Sequence, residues 1–169
     1  MRALPVVGVL GSGRERHESL ALPLGRMLGE LGCHLLTGGG GGVMEAVAEG
    51  FVAVEGRKGV SIGVLPGRLA RAECEAPEGY PNPFVELAIR THLPARGTEG
   101  ETLESRNYLN VLTAQALVFL PGGEGTAAEA RLARRFGAPA IGLAGGGVAQ
   151  GIPQADSVEE AERFLRAVL

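Results

Sequence analysis

The feature that most constrains this chain is a recurring unit. A short, largely apolar run ends abruptly in a glycine-rich turn and gives way to a helical pattern. Val6-Val7-Gly8-Val9-Leu10 runs into Gly11-Ser12-Gly13, and His34-Leu35-Leu36-Thr37 runs into Gly38-Gly39-Gly40-Gly41-Gly42. Ala116-Leu117-Val118-Phe119-Leu120 runs into Pro121-Gly122-Gly123-Glu124-Gly125-Thr126. A strand wet on one face alternates apolar and polar residues. A continuous apolar run instead implies burial on both faces, the habit of parallel sheets. Further strands are expected at 60–65, 84–89 and 140–143.

Between the strands, Leu20, Leu24, Met27, Leu28 and Leu31 recur at helical spacing, and Gly32 supplies a stop. Val43, Val47, Phe51 and Val54 mark a second helix over 43–54. Others are expected over 101–115, 127–136 and 158–169. The last is capped by Ser157, with Glu160 completing a capping box. Residues 68–83 and 94–100 read as loops. Strands alternating with helices predict one domain over residues 1–169: a Rossmann-like α/β fold, doubly wound, with a mostly parallel sheet and helices on both faces. Such sheets bind ligands at the carboxyl ends of their strands, where strand order reverses.

Several function classes can be set aside. The net charge of −3 argues against broad nucleic-acid binding. No apolar run reaches the roughly 18 residues of a membrane span, and residues 1–8 lack the form of a signal peptide. A cytoplasmic protein is expected. Arginine supplies nearly all the positive charge, Lys58 being the only lysine. That suits bidentate phosphate contacts, although genome composition produces the same bias. Cys33 reads as a core residue, and with Cys74 it gives weak evidence for a disulfide. His17, His34 and His92 lack metal-ligand spacing, and no metal is expected. Gly59-Val60-Ser61-Ile62-Gly63 has the letters of a nucleophile elbow, but its serine lies within a strand.

The glycine turns can be tested against known cradles. A turn entering a helix presents bare N–H groups at the positive end of the helix dipole. The turns before Val43 and before Ala127 have this form. The dinucleotide fingerprint requires a third glycine where Arg14-Glu15-Arg16 stands, and an acidic residue where strand two ends in Thr37. A P-loop requires Gly-Lys-Ser/Thr, which Lys58 does not supply. The expected ligand is a phosphate-bearing, nucleotide-like small molecule.

Pro121-Gly122-Gly123-Glu124-Gly125-Thr126-Ala127-Ala128-Glu129 resembles the Pro-Gly-Gly-x-Gly-Thr-x-x-Glu motif of the LOG family. These are the cytokinin-activating phosphoribohydrolases, whose relatives were long labelled possible lysine decarboxylases. Gly38-Gly39-Gly40-Gly41-Gly42-Val43-Met44-Glu45-Ala46 resembles that family's second glycine segment. Arg106 precedes Glu129 by 23 positions, the spacing of the family's catalytic pair. The family arginine sits in Met-His-x-Arg-Lys, whereas here it lies in Glu104-Ser105-Arg106-Asn107. With Asn82-Pro83-Phe84 upstream, that segment is more similar to the molybdenum cofactor carrier proteins. Those share the fold and hold a cofactor.

The resemblance implies two readings. The first is hydrolysis of the N-glycosidic bond of a nucleoside 5′-monophosphate to free base and ribose 5-phosphate. Arg106 and Glu129 would be catalytic, and no cofactor would be required. The second is a non-catalytic carrier with molybdenum cofactor as bound cargo. In both, the phosphate or nucleotide would lie on Gly11, Ser12, Gly13, Gly38–Gly42, Met44, Glu45, Asn107, Pro121, Gly122, Gly123, Glu124, Gly125 and Thr126. Taken singly, Glu129 could serve only the helix dipole and Arg106 only an ion pair. The matched spacing favours the functional reading. Pyridoxal-dependent decarboxylation normally uses a Schiff-base lysine, and Lys58 in a loop is a poor candidate. The resemblance also implies a homodimer or homotetramer.

Overall fold

The computed structural model describes residues 3–68 and 76–169. One sheet carries seven strands, all parallel, in the order β4-β3-β2-β1-β5-β6-β7. The strands are β1 (Val6–Leu10), β2 (His34–Thr37), β3 (Ser61–Leu65), β4 (Leu87–Arg90), β5 (Ala116–Phe119), β6 (Ala140–Leu143) and β7 (Gln154–Ala155). The helices are α1 (Glu18–Leu31), α2 (Val43–Val52), α3 (Asn107–Thr113), α4 (Glu124–Phe136) and α5 (Val158–Val168). This is an α/β, Rossmann-like arrangement. Order runs outward from β1 in both directions, so the switch point lies between β1 and β5. Among the described residues no helix is long and apolar enough to cross a membrane.

The pleat of the central strands sorts their side chains between two cores. Val7 and Val9 of β1, with Ala116 and Val118 of β5, pack with apolar residues of α1, α2 and α5. Leu10, Leu117 and Phe119 point the other way, onto Val111 of α3 and Ala130, Leu132 and Ala133 of α4. That two-sided burial is why these strands read as unbroken apolar runs. Cys33 joins the first core, and burial pushes its thiol up to about 12, which keeps it neutral. Cys74 lies outside the described residues.

Helices α1 and α2 approach closely through glycine. A Cβ at Gly25 would collide with the Val47 carbonyl and lie 2.8 Å from the Phe51 nitrogen. One at Gly29 would meet Val54, and one at Gly50 would meet the Leu22 backbone. This contact sets how closely α1 and α2 lie, the two helices that follow the turns after β1 and β2.

Several element boundaries differ from the expectation. Strand four was expected at 84–89 but spans Leu87–Arg90, and all four residues are exposed. Asn82 captures the earlier part: its side chain accepts from Phe84 N at 3.0 Å and its carbonyl from Val85 N at 3.3 Å. The helix expected over 101–115 is confined to Asn107–Thr113. Ahead of it the chain makes successive tight turns, with Gly100 N on Gly97 O, Thr102 N on Glu99 O and Ser105 N on Thr102 O. Arg106 therefore precedes α3 rather than lying within it. Helix α4 begins at Glu124, three residues early, so Glu129 falls in its second turn. Ser157 accepts from Glu160 N as expected, but the Glu160 carboxylate reaches Asp156 N, not the cap residue's own N–H.

If the glycine contact sets the separation of α1 and α2, Gly25→Ala will lower stability by about 1–3 kcal/mol through overpacking. Urea denaturation will show a lower midpoint with an unchanged slope. A wild-type midpoint would mean that the two helices part without cost.

Candidate functional site

A cleft of about 540 Å³ opens at the carboxyl ends of β1, β2 and β5, over the switch point. Its floor is tied by the protein's own backbone. Ser12 N donates to Pro121 O at 3.0 Å and Leu120 N to Leu10 O at 2.8 Å. The three glycine turns thus converge, but they do not present the same surface.

The turn after β5 is open. Gly123 caps α4 without a side chain, and Ala127 N makes an early helical bond to Gly123 O at 3.0 Å. The N–H groups of Glu124, Gly125 and Thr126 have no acceptor within the helix. All three residues line the cleft. The helix dipole and these donors together favour an anion.

The turn after β2 is largely closed by protein. Val43 N, the first donor of α2, is taken by Ser12 O at 2.8 Å. Gly39 N donates to Thr37 Oγ1 at 3.1 Å, while Asn82 donates from its backbone to Gly39 O and from Nδ2 to Gly40 O, both at 2.8 Å. The Tyr80 ring lies on the turn, and a Cβ at Gly40 would meet it at 2.7 Å. Gly42, with φ 63°, packs on the Ser12–Arg14 backbone. Gly38 and Met44 line the cleft; Gly39, Gly40 and Gly42 are spent on close approaches of the chain to itself. Of the two turns expected to serve as anion cradles, the one before Val43 is thus largely occupied by the chain itself. Glu45 also turns elsewhere, to Arg16 at 3.2 Å, in a cluster shared with Glu18 and Glu49.

Gly11, Ser12 and Gly13 line the cleft after β1. The Ser12 hydroxyl accepts from Arg14 N at 3.1 Å and Glu15 N at 2.9 Å, so it shapes the turn. Pro121 and Gly122 border an adjoining cavity instead, while Gly123, Glu124 and Thr126 line both.

Arg106 is only 6% exposed, and its guanidinium lines the cleft with Asn107. It packs where a side chain at Gly38 would stand, 5.9 Å from the centre of the Tyr80 ring. Its Nε is buried without a hydrogen-bond partner. Among the described residues no carboxylate lies within ion-pair distance of it. Buried charges are ordinarily paired, so an anion in this cleft would be favoured beside the guanidinium.

Glu129, 7% exposed, lines the same cleft and accepts from Asn110 Nδ2 at 2.8 Å. Burial pushes its carboxyl above the usual carboxylate range, against the smaller opposing pulls of Arg106 and Asn110. The structure thus gathers Arg106 and Glu129 on one wall, 23 positions apart in sequence.

Sequence reasoning missed Arg14, Tyr80 and Arg96, all of which line the cleft. Arg14 directly follows the Gly11-Ser12-Gly13 turn, a position that its neighbours made legible. Tyr80 and Arg96 come from aperiodic loops that give no local signal.

A family model described as the SLOG cluster4 family matches residues 4–167. An uncharacterized protein of Archaeoglobus fulgidus is 28% identical over 160 residues, covering 94% of this chain and 92% of that one. The structure of the molybdenum cofactor binding protein from Rippkaea orientalis is similar at a TM-score of 0.78 and 26% identity, covering 99% of both chains. The molybdenum cofactor carrier protein of Chlamydomonas reinhardtii is similar at a TM-score of 0.71 and 27% identity, covering 98% of both.

The burial of Glu129 generates a prediction about pH. An acid whose folded pKa is raised stabilises most while neutral, and it costs stability as pH rises through that pKa. Glu129→Gln keeps an acceptor for Asn110 and removes the ionisation. Its melting temperature relative to wild type will climb between about pH 4 and neutrality. A difference that does not change with pH would overturn the assignment of a strained carboxyl.

Proposed function

Because the chain belongs to the SLOG cluster4 family, we propose that its cleft binds a phosphorylated, nucleotide-like small molecule, and that the ligand is a molybdenum-cofactor-type pterin phosphate carried unchanged. The observation that carries this reading is the unpaired, buried guanidinium of Arg106 on the cleft that the α4 amides line. A phosphate ester supplies the missing counter-charge and accepts from both sources at once. Similarity to molybdenum cofactor binding and carrier proteins over nearly the whole chain supports the choice of cargo. In this reading the protein holds the phosphate on Arg106 and the first turn of α4. Tyr80 and Met44 offer a flat, polarisable wall to the ring system.

A second reading rests on Glu129. A buried carboxyl in the phosphate cleft is also what N-glycosidic cleavage of a nucleoside monophosphate requires. The C1′–N bond breaks with its electron pair leaving on the base, the sugar gains oxocarbenium character, and water adds at C1′. Glu129, when ionised, would stabilise that positive charge and take the proton of the attacking water. The released base would take up a proton, and Arg106 would hold the phosphate throughout.

Two measurements test these readings. Arg106→Met removes the charge and keeps an apolar stem. Its affinity for the molybdenum cofactor and for AMP, measured by calorimetry, will fall by about 10- to 150-fold, the worth of hydrogen bonds to a charged group. Its melting temperature will hold or rise, since an uncompensated buried charge has been removed. Undiminished affinity overturns the phosphate site. Incubation with AMP then separates carrier from enzyme. Ribose 5-phosphate released by wild type and not by Glu129→Gln supports hydrolysis; tight cofactor binding without release supports carriage.

A further inference from the structure

We infer that the cavity on the far side of the α4 N-terminus is a second subsite, and that the full ligand is two-armed: two nucleoside-like groups joined through phosphate. The inference rests on the phosphate reading above and extends it. The adjoining cavity has a volume of about 270 Å³ and lies between the turn after β5 and the turn after β6. Gly123, Glu124 and Thr126 line both this cavity and the main cleft. A phosphate on the α4 amides therefore stands at the junction of two chambers, not at the end of one.

The junction also carries a hydroxyl side chain. Thr126 is 5% exposed, lines both chambers, and its hydroxyl lies beside Gly122, where a Cβ would meet it at 2.1 Å. It can donate to a bridging phosphate from the wall the two chambers share. The walls of the second chamber suit an uncharged arm. They include Val148, Ala149 and the side-chain amide of Gln150, with no cation among the lining residues. Glu124, an acceptor-only carboxylate, suits the hydroxyls of a sugar better than a second phosphate.

The chamber is built by the backbone. After β6, Ala144 takes φ 49°, a left-handed conformation that non-glycine residues seldom adopt, and Gly145 and Gly147 follow at 87° and 69°. Gln154 braces this turn, accepting from Gly145 N at 3.1 Å and donating to Gly146 O at 3.0 Å. The space is therefore held open by the protein itself and requires no rearrangement to be filled.

The test compares AMP with diadenosine 5′,5′-diphosphate, whose two adenosines are joined through pyrophosphate. Calorimetry is done in wild type and in the Glu129→Gln background, so that turnover does not intrude. The dinucleotide will bind about ten-fold or more tightly than AMP. Ala149→Trp fills the second chamber and will abolish that advantage while leaving AMP affinity unchanged. Val148→Trp, at a position 54% exposed, gives the same readout should Ala149→Trp fail to fold. AMP binding with no gain for the dinucleotide overturns the second subsite alone. Equal loss of both ligands in the tryptophan variants does the same. Failure of both ligands to bind wild type overturns the phosphate reading beneath it.

Discussion

A positive charge enclosed in protein needs a partner, and at Arg106 the described residues supply none within ion-pair distance. Its guanidinium is held by packing, against Tyr80 and in the space that Gly38 leaves empty. Leaving such a group unpaired costs far more than any surface ion pair returns. The bare amides of α4 line the same cleft and add to its positive potential, an arrangement that would become favourable with an anion present. The glycines, the early start of α4 and the convergence of three turns each acquire a purpose from that one unsatisfied charge.

Glu129 is the counterweight. A carboxylate beside Arg106 could have neutralised it, but Glu129 lies beyond ion-pair distance and accepts from Asn110 instead. Burial then drives Glu129 toward its neutral form. The cleft thus combines an arginine without an ion pair and a carboxyl whose ionisation burial opposes. That combination is compatible with carriage and with hydrolysis, the two readings proposed for the cleft.

The polyglycine turn after β2 teaches a different lesson. Five consecutive glycines look like an open phosphate loop, yet most of them accommodate the protein itself: Tyr80, Asn82, Leu65 and the β1 turn. Glycine marks places where something approaches closely, and the sequence does not say what approaches. At Gly123 and Gly125 the space is open to a ligand. At Gly40 and Gly42 it is filled by the chain.

The sequence by itself determined the class of fold, since largely apolar strands interleaved with amphipathic helices can be satisfied only by a parallel sheet covered on both faces. It also marked Arg106 and Glu129 through their spacing, and the α4 turn through its glycines. Helix boundaries near 101–106 escaped it, because competing turn hydrogen bonds there outweigh helical periodicity. Only the tertiary structure decided which helix start stays open, that Tyr80, Arg14 and Arg96 complete the cleft, and that a second chamber adjoins it. Those outcomes depend on contacts between segments far apart in the chain, and local patterns carry no record of them.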